Sequence, residues 1–273
     1  MKQKSINISL PGFYSNFNIN KLFINLFKKK NELFNEYINI TAVHGSFPNN
    51  IWGLERYQEK NFSIKKLKKI INFYYENNIK ICLEMDNEYI QKKDLKNSFL
   101  NKFLKENKEK ITRIYLNSEI LSDYIKSNYS SFEIETSSLN IKADLYKINK
   151  TQLNNNASKN IIISLNDFCE TNCNLKHEHI KYLSLEQLKK KEITPYFPCK
   201  MKFITNFDYI KSHKHFISKE EMFILAKENG YQNFKLESNK LIKYLQQYCT
   251  IEDLIKFYRY YLIVNENKEK NIK

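Results

Sequence analysis

The sequence predicts an α/β fold: a TIM-like (β/α)8 barrel in one domain, 1–240, with a C-terminal helix and charged tail, 241–273. Three observations predict it. Short apolar runs alternate with helical periodicities, giving eight strand-like units within about 240 residues, which suits a barrel of parallel strands better than an open sheet. The doubly wound alternative calls for a glycine-rich phosphate loop, and neither GxGxxG nor GxxxxGK[ST] occurs. Five polar segments, Pro11-Gly12, His44-Gly45, Asp86-Asn87, Asn117-Ser118 and Asn166–Cys173, follow strand ends on one side of such a barrel.

The elements follow in order. Ile6–Leu10 reads as a strand stopped by Pro11-Gly12. Ile19–Phe34 carries helical periodicity through Leu22, Phe23, Leu26, Phe27 and Leu33. Ile38–Val43 is the second strand. Ser63–Tyr75 is a helix with Ser63 as N-cap and Ile64, Leu67, Ile70, Ile71, Phe73 and Tyr74 on its inner face. Ile79–Met85 is the third strand and Asp94–Asn107 a helix. Thr112–Leu116 is the fourth strand, followed by helix Ile120–Ser127. Phe132–Glu135, Asp144–Ile148 and Ile161–Leu165 are strands five to seven, with a polar helix or turn at Lys150–Ser158. A long irregular stretch leads to helix Lys219–Asn229, a Gly230 C-cap, strand Asn233–Glu237 and a helical tail over Leu241–Ile263.

Composition narrows the function classes. The chain has 273 residues, 42% of them hydrophobic, which supports a sizeable core and excludes wholesale disorder. No apolar run reaches the ~20 residues of a membrane span. The opening MKQKSINISLPGFY has no apolar signal-peptide core, so a cytoplasmic protein with no membrane partner is expected. The net charge is +15, yet only Arg56, Arg113 and Arg259 stand among 45 Lys plus Arg. Lysine point charges without arginine forks predict weak, non-specific nucleic-acid binding at most.

Five cysteines without a signal argue against a disulfide framework. Cys82 and Cys249 lie in apolar stretches and read as core. Cys169, Cys173 and Cys199, with His177 and His179, fall within about thirty residues that read as loop. A Cys-x3-Cys pair with a further Cys and His177 fits a zinc or iron–sulfur site, with His179 and Cys249 as alternative ligands. Free thiols are the plain alternative. At the strand ends, His44, Glu84, Asp86, Lys235 and Glu237 are the candidate catalytic groups. Alternation puts Cys82, Glu84 and Asp86 on one face, and Lys235 and Glu237 on another, where they serve as an ion pair or as catalytic groups. Asn166 and Trp52 are the candidate cofactor-binding residues; Trp52 either covers a ligand or anchors its loop.

The segment Glu228-Asn229-Gly230-Tyr231 followed by Phe234-Lys235-Leu236-Glu237-Ser238 resembles the terminal Phe-Lys-Ile-Glu-Gly-Arg strand of the collagenase-like peptidase (U-32) family. Tyr146-Lys147-Ile148 with Thr151–Asn156 resembles its sixth strand and short helix. Ser238-Asn239 replace Gly-Arg, and the cysteine spacing differs. The resemblance, over residues 144–239, implies a TIM-like barrel, a [4Fe–4S] cluster held in the region of Cys169, Cys173 and Cys199, and hydroxylation of RNA bases or quinone rings. The expectation is therefore a barrel enzyme with a Cys-based metal or iron–sulfur site, acting on a small or nucleotide-derived substrate. The alternatives are a binding protein with a structural zinc knuckle and a metal-free enzyme using the carboxylates at the mouth.

Overall fold

The computed structural model describes residues 5–54, 62–136, 162–166, 176–188, 207–212, 216–238 and 250–264. Seven strands run through them: β1 (Ile6–Pro11), β2 (Ile38–Gly45), β3 (Lys80–Met85), β4 (Ile111–Leu116), β5 (Glu133–Thr136), β6 (Ile162–Ser164) and β7 (Asn233–Lys235). All pair in parallel, in the order β5-β4-β3-β2-β1-β7-β6. The first strand thus sits beside the last, as in a barrel. The sheet is curled into a half-barrel and is not a closed ring of eight strands. Its open edges are β5 and β6, and the expected sixth strand, Asp144–Ile148, lies outside the described residues.

The helices are α1 (Phe17–Lys29), α2 (Ile64–Glu76), α3 (Ser98–Glu106), α4 (Glu119–Asn128), α5 (Lys176–Gln187), α6 (Phe207–Lys211), α7 (Lys219–Lys227) and α8 (Ile251–Leu262). Local chemistry sets their starts. The Ser63 side chain accepts from Lys66 N, Asn97 from Leu100 N and Ser118 from Leu121 N. Ser218 with Glu221, and Thr250 with Asp253, form reciprocal capping boxes. The Asn97 cap also explains why the single helix expected over Asp94–Asn107 is split. A 3₁₀ turn, Lys92–Lys96, ends at Asn97 and α3 starts afresh.

Alternation gives the sheet two unlike faces. Ile6, Ile8 and Leu10 of β1, Ile81, Leu83 and Met85 of β3, and Ile114 and Leu116 of β4 are buried in one continuous core with the helices. Leu67, Ile70, Ile71 and Tyr74 of α2 meet them there, as do Phe257, Tyr258, Tyr261 and Leu262 of α8. Asn20 of α1 ties this layer together. Its amide donates to Pro11 O and the Tyr74 hydroxyl and accepts from Tyr258 Oη at 2.6 Å. On the opposite, inner face, Ile162 of β6 packs against a small cluster of Ala42, Cys82 and Tyr115 from β2, β3 and β4. These strands are at least three places away along the sheet, so the inner face curls toward itself.

Candidate functional site

Register fixes what lines the inner face. Ser9 of β1 lies opposite Ala42 of β2 and Lys235 of β7, and Lys235 lies opposite Ser164 of β6. One step further along, His44 is paired with Cys82, and Cys82 with Arg113. Parallel strands buried on both sides are usually apolar throughout; here the strands set apolar residues toward the helices and mostly polar or small ones inward, Ile162 being an apolar exception.

A first cluster forms where β2, β1, β7 and β6 meet. The Ser9 hydroxyl is 2.9 Å from His44 Nδ1. His44 Nε2 is buried, makes no hydrogen bond among the described residues, and lies 3.8 Å from Glu237 Oε2. Lys235 Nζ is 2.8 Å from Glu237 Oε1, and Ser164 Oγ donates to the same oxygen at 3.1 Å. Asn166 clamps the main chain beneath: its amide donates to Glu237 O and accepts from Glu237 N at 2.7 Å. A carboxylate beside Nε2 favours a proton on that nitrogen, which leaves Nδ1 to accept from Ser9. His44 then presents a buried N–H with no acceptor in hydrogen-bond range, beside a carboxylate already bound to an ammonium. The backbone is shaped to hold it there. Gly45 has φ +138°, and a Cβ on it would lie 2.9 Å from Phe13 N, the amide that donates to His44 O.

A second cluster spans β3, β4 and β5. Arg113 bonds Glu133 through Nε and Nη2 and reaches Glu135 with Nη1 at 3.0 Å. Burial opposes the guanidinium's charge, but the hydrogen bonds to Glu133 and Tyr115 and the field of Glu135 outweigh it and hold Arg113 protonated. Burial raises the Glu135 carboxyl above its ordinary value despite Arg113. Burial likewise pushes the Cys82 thiol up to about 12, against the pull of Arg113, and raises the Tyr115 phenol. Cys82 is a neutral thiol here, not a nucleophile.

The structure therefore brings His44, Lys235 and Glu237 together. Glu84 is buried on the inner face opposite Tyr115, nearer the second cluster. Asp86, just past β3, accepts from Leu54 N at 2.9 Å and fixes the loop after β2. Trp52 is fully buried and its indole N–H donates to Asp94 O, so it anchors that loop. His177, expected in loop, lies exposed on α5. This helix falls within the stretch expected to be irregular; Asn87 Nδ2 donates to Ser184 O and Gln187 Nε2 to Asn50 O, so α5 docks on the loops following β2 and β3. Cys169, Cys173, Cys199 and Cys249 lie outside the described residues. Among the described residues no group of three or more His, Cys, Asp or Glu is placed to hold a metal ion.

Sequence reasoning missed Ser9, Ser164, Arg113, Tyr115, Glu133 and Glu135. For Arg113, Glu133 and Glu135 the signal was the charged member of an alternating strand, as in ITRIYL and EIET. No helix of the described residues is long and apolar enough to cross a membrane. Comparison with known proteins adds no relative: no family model, no curated protein and no solved structure matches the chain.

Proposed function

We propose that the protein is a TIM-like barrel enzyme that carries out proton-transfer chemistry on a small molecule bound at the inner face, with His44, Glu237 and Lys235 as the acting groups. The observation that supports it most is the buried His44 Nε2, read as the protonated nitrogen. It is buried beside an ion-paired carboxylate, at the C-terminal end of a parallel sheet, with no hydrogen-bond acceptor among the described residues. Buried donors are nearly always satisfied, and those that are not are poised for a ligand or a reaction. Strand C-terminal ends are also where barrel folds place their sites. In this reading Asp144–Ile148 supplies the eighth strand. The test is thermal denaturation with a panel of small carbonyl, carboxylate and phosphate compounds, on wild type and His44→Asn. A true ligand at a hundred times its Kd stabilises the wild type by about 2.7 kcal/mol. The reading fails if no compound stabilises the wild type, or if those that do stabilise His44→Asn equally.

A second reading adds a metal centre, in line with the U-32 resemblance. Cys169 follows Asn166 by three residues, and Asn166 is bound to the Glu237 main chain at this same end of the sheet. Cys169, Cys173, Cys199 and His177 would supply the ligands for a [4Fe–4S] cluster or Zn²⁺. A nucleotide-derived substrate and a cytoplasmic setting belong to the same proposal. Anaerobic purification with metal analysis and a visible absorption spectrum tests it; a colourless, metal-free protein removes the centre and leaves the acid–base reading standing.

A further inference from the structure

Lys235 occupies a particular place on the inner face. Its neighbours in register are Ser9 and Ser164, with Ala42 beyond Ser9. The Lys235 side chain is therefore flanked by the smallest side chains that the described inner face carries. Its ammonium touches Glu237 Oε1 at 2.8 Å, and the other oxygen of that carboxylate faces the His44 N–H. A lysine held against a proton acceptor, with a hydrogen-bond donor on the far side of that acceptor and small residues around it, is equipped for more than charge balance.

We propose that Lys235 is a nucleophile that forms an imine with an aldehyde or ketone, the substrate class of this site. The inference rests on the reading of this cluster as the reaction centre. The ammonium first gives a proton to Glu237 Oε1. The neutral amine then attacks the carbonyl carbon; a C–N bond forms and the C=O π pair moves to oxygen, which receives the amine's proton to give the carbinolamine. The His44 N–H donates a hydrogen bond to that oxygen throughout and finds there the acceptor it lacks. Glu237 returns its proton to the hydroxyl, the C–O bond breaks, and water leaves. The sum is Lys-NH₃⁺ plus carbonyl giving a protonated imine plus water, with Glu237 again a carboxylate. Ser9 is a positioning residue: by bonding Nδ1 it keeps the proton on Nε2.

The experiment is reductive trapping on the full-length wild-type protein. Pyruvate, glycolaldehyde and dihydroxyacetone phosphate are each incubated with it and sodium cyanoborohydride, and the adducts are mapped by peptide mass spectrometry. Orientation at a built site predicts that Lys235 is modified on the order of ten-fold faster than exposed lysines, and Glu237→Gln slows that labelling without affecting the others. Lys68 and Lys102, which are exposed, are internal references. Labelling of Lys235 no faster than of these two, for all three compounds, overturns the proposal. Thermal shifts with the same compounds, without reductant, separate the two levels. A shift that His44→Asn abolishes, with Lys235 unlabelled, keeps the reaction centre and removes the imine. Neither shift nor selective labelling removes both.

Discussion

Replacing Lys235 by Met tests whether the inner face is sealed from water. The side chains of Lys235 and Glu237 are 7% and 11% exposed and 2.8 Å apart. Methionine keeps most of the aliphatic stem and removes the ammonium, so the carboxylate stays buried but loses the Lys235 charge. Breaking a buried pair by removing one partner costs about 3–5 kcal/mol, whereas removing both is often close to neutral. Lys235→Met should therefore lose about 3–5 kcal/mol in urea denaturation, and the double variant Lys235→Met/Glu237→Gln should regain most of it. The denaturant midpoint should move while the slope holds. A loss below about 1 kcal/mol for the single variant, the range of solvent-exposed pairs, would refute the reasoning.

Asn20→Leu should cost about 2 kcal/mol or more, because it removes the buried bonds that Asn20 makes to Pro11 O, the Tyr74 hydroxyl and the Tyr258 hydroxyl; equal stability by denaturation would contradict the Asn20 hub. Cys82 should resist iodoacetamide in the native state and react only on unfolding, as read by peptide mapping, since burial holds its thiol at about 12. From that shift, the unfolded chain releases a proton near the ordinary value of 9.0 while the folded chain keeps it, so this group makes stability fall as pH rises from 9.0 toward about 12, and Cys82→Ala should flatten that part of the profile. Trp52→Phe should lose about 1 kcal/mol with the indole bond to Asp94 O. Trp52 is also the sole tryptophan, so native emission should be blue and should shift red in one step with global unfolding.

Most strands were legible because short stretches of regularly placed β-branched and apolar residues lie between turn signals; β1 to β5 all lie within a few residues of their expected places. Helix α5 was not. KHEHIKYLSLEQ has no apolar stripe at helical spacing, and its seat is made by Leu183 against Leu54 and by amide bonds from Asn87 and Gln187, contacts that tertiary structure supplies. The last strand was expected through Glu237 but its ladder stops at Lys235, because Glu237 N turns to the Asn166 side chain. His44, Lys235 and Glu237 were visible as charged or titratable groups at strand ends. Ser9 and Ser164 were not, because a serine in a strand carries no signal until its neighbour across the sheet is known. Arg113 stood out only as one of three arginines in a lysine-rich chain; its two glutamates appear once β4 and β5 are paired.

The pairing of β1 with β7 joins Asn7 to Asn233, and so brings together residues far apart in the sequence at the middle of the sheet. Translation runs the other way. When Ser9 and His44 emerge from the ribosome, the strand carrying Lys235 and Glu237 has yet to be made, and all the residues between must be synthesised before the four meet. Contacts so distant along the chain are formed slowly, since the loop must close before they reward it. Until then β1 offers an unpaired edge to any strand nearby, which is when a nascent chain is most exposed to mispairing and most in need of a chaperone. A fragment ending short of Lys235 would lack the strand that pairs with β1, the Lys235–Glu237 ion pair and the whole of α8.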